Sequence, residues 1–164
     1  GPFAIRYPKD AAYDLSEQLG DRPPMIPGTG TIVAEGRDIA IVTLGPVLRS
    51  AIEARTILAA DGIRACIVDL RFAQPLDTAL LARLAGTCGA VLIAEETTRS
   101  TGIYDAALET LVRSGMDISR IGRCGVPDRF PAQDKRGHLL NMYQLDAPGM
   151  ASAVHVLLDA AEGR

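Results

Sequence analysis

From Thr31 onward the chain alternates short apolar runs with longer segments whose apolar residues recur at helical spacing, the pattern of an α/β sheet. Thr31-Ile32-Val33-Ala34 reads as a strand, Glu35-Gly36-Arg37 as a tight turn, and Asp38 to Leu44 as a second strand. So short a turn predicts that these two strands pair antiparallel. Leu48, Ala51, Ile52, Leu58 and Ala59 predict a helix over about residues 46–61 closed by Gly62, with Arg55 in the stripe carrying its tip out to solvent. Ala65 to Leu70 is a nearly continuous apolar run, expected of a strand covered on both faces and made parallel by the preceding crossover helix. Asp77 is placed to cap a helix that turns Leu80, Leu81 and Leu84 inward, and Ala90 to Ala94 is the next buried strand. A helix over about 103–114 buries Tyr104, Ala107, Leu108 and Leu111 and stops at Gly115; Ile118 to Ile121 reads as a shorter strand. A final helix over about 148–161 should bury Met150, Val154, Leu157 and Leu158. These elements predict a three-layer α/β/α domain with a five-stranded mixed sheet, at least four helices, and a first sheet strand running opposite to the rest.

The ends of the chain depart from this regularity. Residues 1–8 alternate apolar and other side chains after a Gly-Pro, which predicts a short strand closed by Pro8. Residues 9–29 are polar and rich in turn formers, with Gly20, Pro23, Pro24, Pro27 and Gly28, and read as a linker to a main domain over 30–164. The first strand is therefore expected to be detached from that domain. Pro127 to Pro131 should be an extended or turn-forming stretch, and Asp134 to Gly137 a hydrophilic loop that leaves His138 exposed.

Composition narrows the function. A hydrophobic fraction of 48% and a charged fraction of 23% over 164 residues suit one domain with its own core. Seventeen basic against twenty acidic residues give a net charge of -3, which offers no field for a nucleic-acid backbone or an anionic membrane. Three cysteines, an odd number without ligand-like spacing, fit a reducing compartment, and no apolar run reaches spanning length, so a cytoplasmic location is expected. His138 and His155 are the only histidines and cannot assemble an HExxH site, so no metal is expected on this chain alone. The chain also lacks GxGxxG, GxxxxGK[ST] and GxSxG motifs, so no catalytic residue is assigned to it.

Binding candidates remain. Arg6, at the end of the first predicted strand beside Tyr7, Pro8 and Lys9, could grip a phosphate with its guanidinium fork, or be an ordinary solvated edge residue. Glu95 and Glu96 follow the Val91–Ala94 strand at the edge where open α/β sheets bind ligands. Their side chains should point apart, which favours helix-start or interface roles over a shared proton. Asp69 and Arg71 are spaced for an ion pair, and Asp128 and Arg129 should lie near a domain or subunit boundary. His155, Tyr104, Tyr143 and Phe130 read as packing, surface or interface groups.

Five stretches taken together resemble one family: Gly1-Pro2-Phe3-Ala4-Ile5-Arg6-Tyr7-Pro8-Lys9, Val68-Asp69-Leu70-Arg71-Phe72, Gln74-Pro75-Leu76-Asp77, Ala94-Glu95-Glu96 and Gly125-Val126-Pro127-Asp128-Arg129-Phe130. They are similar to the C-terminal part of the 1-deoxy-D-xylulose-5-phosphate synthases, within the transketolase-like thiamine diphosphate enzymes. The β subunits of 2-oxo acid dehydrogenases share the central stretches but fit the two ends less well. The resemblance implies that residues 1–8 are the last strand of a preceding pyrimidine-binding domain and that residues from about 30 form the family's C-terminal domain. It implies that Arg6 contacts the phosphate of glyceraldehyde 3-phosphate in a reaction joining that aldehyde to pyruvate with loss of CO2. Tyr7, Glu95, Glu96, Asp128 and Arg129 would lie at an interface or the site entrance. The cofactors, thiamine diphosphate and Mg²⁺, would be held by upstream domains or a partner chain of a homodimeric enzyme, leaving this segment inactive alone. The sequence departs from the family at Lys9-Asp10, which stands where RG is usual, at Thr97–Gly102, which lacks a GG run, and at Pro131-Ala132-Gln133-Asp134, where a histidine and glycine are usual. A stand-alone interaction or small-ligand domain is the rival reading.

Overall fold

The computed structural model describes residues 1–16, 20 and 24–161. Five strands form one sheet: β1 (Thr31–Ala34), β2 (Ile39–Leu44), β3 (Ala65–Asp69), β4 (Val91–Thr98) and β5 (Ile121–Val126), in the spatial order β1-β3-β2-β4-β5. The helices are α1 (Leu48–Ala60), α2 (Thr78–Thr87), α3 (Tyr104–Arg113), α4 (Arg136–Met142) and α5 (Ala147–Ala161). Strands β2 to β5 are mutually parallel and β1 is antiparallel to them, as the chain pattern predicts.

Period-two alternation assigns each buried side chain to one of two cores. Ile39 and Ile41 of β2, Ala65 and Ile67 of β3, and Leu92 and Ala94 of β4 face α1 and α5, where Leu48, Ala51, Leu58, Met150 and Val154 meet them. Their neighbours Ala40, Val42, Cys66, Val68, Val91 and Ile93 face α2 and α3 and pack on Leu80, Leu81, Leu84, Ala107 and Leu111. Each fully buried leucine or isoleucine contributes about 1.5–3 kcal/mol, so both faces of the sheet hold the helices in place. Three layers follow directly. Gly62 and Gly115 end α1 and α3 with φ of 80° and 93°, left-handed conformations that a Cβ would strain.

The pairing of β1 corrects the sequence expectation. It lies against β3, with Thr31 opposite Asp69 and Ile32 opposite Val68, and not against β2. The reason is burial: Ile39 to Thr43 of β2 are wholly buried, so β2 takes a central place between two parallel neighbours, while β1 is half-exposed and suits an edge. The turn after β1 therefore steps across the start of β3. The N–H groups of Arg37 and Asp38 both donate to the Arg64 carbonyl at 3.1 Å, and the Asp38 carboxylate accepts from the Arg64 backbone and guanidinium at 2.6–2.8 Å.

Four further differences have local causes. Residues 1–8 form no strand in this chain: no described strand pairs with them. Residues 118–120 are a 3-10 turn, because the Asp117 carboxylate accepts from Ser119 N–H at 2.8 Å, and the strand starts at Ile121. Helix α4 occupies part of the expected hydrophilic loop and carries the exposed His138. The Arg55 guanidinium turns back to donate to the Ala65 carbonyl at 3.2 Å instead of simply reaching solvent.

Candidate functional site

The C-terminal ends of the parallel strands share one edge of the sheet, and the chain crosses from one side of β2 to the other between β3 and β4. Such a switch point leaves a crevice at that edge. Arg71, Glu95, Glu96 and Asp128 all stand there, just after or within β3, β4 and β5.

Glu95 and Glu96 point apart, as adjacent strand residues must. The Glu95 side chain turns inward and is buried, and both of its oxygens accept from the Ile103 N–H at the start of α3, at 2.8 and 3.1 Å. A carboxylate at a helix N-terminus satisfies an orphan donor and offsets the macrodipole, a contribution of about 1 kcal/mol. Gly102 makes room for it: a Cβ there would lie 1.9 Å from Glu95 Oε1.

Glu96 turns outward to Arg136 at the start of α4. Arg136 Nε donates to Glu96 Oε2 at 3.0 Å and Nη2 donates to Glu96 Oε1, so the pair is bidentate. The same guanidinium donates from Nη1 to the Tyr13 hydroxyl at 2.7 Å and to Asp10 Oδ2 at 3.4 Å. These side chains are largely enclosed, 17% exposed for Arg136 and 23% for Glu96, which separates them from ordinary solvated surface pairs. The neighbouring carboxylate of Glu96 pushes Arg136 above the usual arginine value. Tyr13 packs against two cations, with the Arg49 guanidinium 4.6 Å and that of Arg136 5.8 Å from its ring centre.

The N-terminal segment runs along this edge. Phe3 meets Phe72 edge-on with ring centres 6.3 Å apart, and Arg6 Nη2 donates to the Glu96 carbonyl at 3.2 Å. Arg6 is thus brought beside Glu96 and Arg136, while the Tyr7 side chain is exposed. Arg71 is held differently. Its backbone has a φ of 59°, rare for a residue with a side chain, its guanidinium is almost wholly covered, and Nε lies 3.8 Å from Asp69 Oδ2. The ion pair expected there is present, but on a left-handed backbone and not an extended strand.

Asp128 accepts from the Ser100 hydroxyl at 2.6 Å and its N–H at 3.2 Å, contacts that hold its carboxyl below the usual range. It ties the chain after β5 to the loop after β4. Arg129 is exposed beside the fully exposed Phe130. The Cys88 thiol donates to the Gly36 carbonyl at 3.9 Å, and the neighbouring Cys66 thiol holds Cys88 below the usual thiol value. Burial pushes Cys124 up to about 11.

Sequence reasoning missed Arg136 and Asp10 as parts of this edge. Both sit in hydrophilic stretches whose local signal is that of solvated loops, and only the tertiary approach of Glu96 distinguishes them. Among the described residues no three His, Cys, Asp or Glu side chains come together as a metal site. No described helix is long and apolar enough to cross a membrane.

Comparison with known proteins identifies this architecture. Residues 28–150 match the family model described as transketolase, C-terminal domain. The chain is 39% identical over 165 aligned positions to 1-deoxy-D-xylulose-5-phosphate synthase 1 of Geobacter sulfurreducens, covering 99% of this chain and 25% of that protein. It is 40% identical to the 1-deoxy-D-xylulose-5-phosphate synthase of Syntrophotalea carbinolica over 94% of this chain and 24% of the relative. A solved structure titled split gene transketolase, inactive beta4 tetramer, superposes with a TM-score of 0.77 at 35% identity, over 84% of this chain and 44% of that one. The chain thus spans about a quarter of the length of the curated relatives it matches, and it belongs to the transketolase C-terminal domain family.

Proposed function

We propose that this chain is the C-terminal part of a thiamine diphosphate-dependent synthase that joins pyruvate to glyceraldehyde 3-phosphate, releasing CO2 and forming 1-deoxy-D-xylulose 5-phosphate. The observation that carries the reading is a coincidence of likeness and geometry. The synthases resemble this chain from end to end, and the strand-edge crevice holds Arg6 with one Nη on a backbone carbonyl. That leaves most of the five donors of its planar guanidinium for a multiply charged anion such as the acceptor phosphate.

In this reading the bound cofactor supplies the carbanion chemistry, and its site belongs to the upstream part of the enzyme or to a partner chain. This chain contributes a rigid edge. The segment 1–8 works as the last strand of the preceding domain: Phe3, Ile5 and Tyr7 fall on one side of an extended chain and are 67%, 74% and 79% exposed, an apolar row that suits a covering sheet. Phe130 next to Asp128 and Arg129 is the second exposed apolar feature near that edge, consistent with a homodimer or interdomain surface. The three free cysteines fit a cytoplasmic setting.

A second reading keeps the chemistry but divides it between two polypeptides, as in the split gene transketolase that this chain resembles. Both readings make the cofactor site external to this chain. Calorimetry of this chain with thiamine diphosphate and Mg²⁺ should therefore show no specific heat of binding, and a saturable isotherm in the micromolar range would overturn the proposal.

A further inference from the structure

Two carboxylates share this edge with Arg6. Glu96 lies on the residue whose carbonyl Arg6 already touches, and Asp10 lies four positions along the chain from it. Either would be a ready partner for a guanidinium, and an arginine closed onto a carboxylate offers no fork to a ligand. Arg136 is the partner that holds them instead: it occupies both oxygens of Glu96, reaches Asp10 and donates to the Tyr13 hydroxyl. Arg136 is well enclosed and fixed at the first turn of α4, whereas Arg6 is exposed on the segment before the sheet.

We infer that Arg136 is a positioning residue for acceptor recognition: by engaging the Glu96 and Asp10 carboxylates it keeps the Arg6 guanidinium open toward an anionic ligand. This inference rests on the reading of Arg6 as the acceptor's phosphate contact. The charge accounting is local. With Arg136 present, two carboxylates and two guanidinium groups balance before the ligand arrives. Without it, Glu96 and Asp10 lose their guanidinium partner and Arg6 folds onto one of them. The incoming phosphate would then have to displace a carboxylate as well as bind, and would be repelled by the other.

The test uses the complete enzyme that contains these residues, assayed with glyceraldehyde 3-phosphate and with unphosphorylated glyceraldehyde. Arg136→Ala should raise the KM for the phosphorylated acceptor about 10-fold with the KM for pyruvate unchanged, the signature of a lost ground-state contact to one substrate. Arg136→Lys should fall between, since a lysine neutralises charge but cannot hold both Glu96 oxygens. The double variant Arg136→Ala/Glu96→Gln should recover to within about 3-fold of the parent, because removing the competing carboxylate frees Arg6 again. A merely structural bolt would behave otherwise: the KM for pyruvate would rise as well, and phosphorylated and unphosphorylated acceptors would lose equally. Either of those results overturns the inference. If Arg6→Ala itself leaves the phosphorylated acceptor's KM unchanged, the underlying assignment of Arg6 fails. If Arg6→Ala raises it and Arg136→Ala does not, only the positioning role fails.

Discussion

Gly36→Ala is expected to destabilise the domain by about 3 kcal/mol, at the top of the range for overpacking a rigid site. The turn after β1 crosses over the first residues of β3, and a Cβ on Gly36 would lie 2.3 Å from the Ala65 carbonyl carbon and 2.4 Å from the Cys66 nitrogen. Both are backbone atoms of a wholly buried strand, so no rotamer change relieves the overlap. The turn can only lift away, and lifting it breaks the Arg37 and Asp38 bonds to the Arg64 carbonyl. Gly86→Ala in α2 is the control, since a Cβ there meets nothing within 4 Å. It should be neutral or stabilising by up to about 1 kcal/mol through helix propensity. Denaturant melts of the two variants should separate clearly, and equal midpoints would show that the crossing is not as tight as the fold requires.

Arg6→Ala, in the complete enzyme, is expected to lower kcat/KM for glyceraldehyde 3-phosphate by about 10- to 150-fold, the 1.5–3 kcal/mol typical of hydrogen bonds to a charged partner. The KM for pyruvate should stay within about 2-fold of the parent, because pyruvate carries no phosphate to occupy the fork. Unphosphorylated glyceraldehyde should be a poor acceptor for the parent and no worse for the variant. Salt should weaken the parent's preference for the phosphorylated acceptor, as Arg6 is exposed and its attraction is screened over about 10 Å at 0.1 M. Equal losses for both substrates would place Arg6 in the scaffold and not in the acceptor site.

What the chain pattern reveals here is set by how local each signal is. The buried strands β2, β3 and the first half of β4 are continuous apolar runs, and α1, α2, α3 and α5 are amphipathic segments bounded by Asp77, Gly62 and Gly115. All of these are legible because the cause of each element lies within it. Strand order is not local. The pairing of β1 with β3 depends on β2 needing two buried neighbours, and the short Glu35–Arg37 turn points the other way. Strand β5 is obscured by Gly122 and Gly125, and at Gly122 the lack of a side chain makes room for Leu157. At the candidate site Arg6, Glu95 and Glu96 are visible as residues at predicted strand ends. Arg136 and Asp10 join them only through contacts that span 40 positions, Arg136 to Glu96, and 126 positions, Arg136 to Asp10, which no spacing rule reaches.

The most direct test of the account is to measure 1-deoxy-D-xylulose 5-phosphate made from pyruvate and glyceraldehyde 3-phosphate, using this chain alone and using it joined to the upstream part of the enzyme. Product should form only in the joined enzyme, with this chain giving none above background. Turnover by this chain alone would contradict the account, and so would a folded, cofactor-loaded joined enzyme that makes no such product.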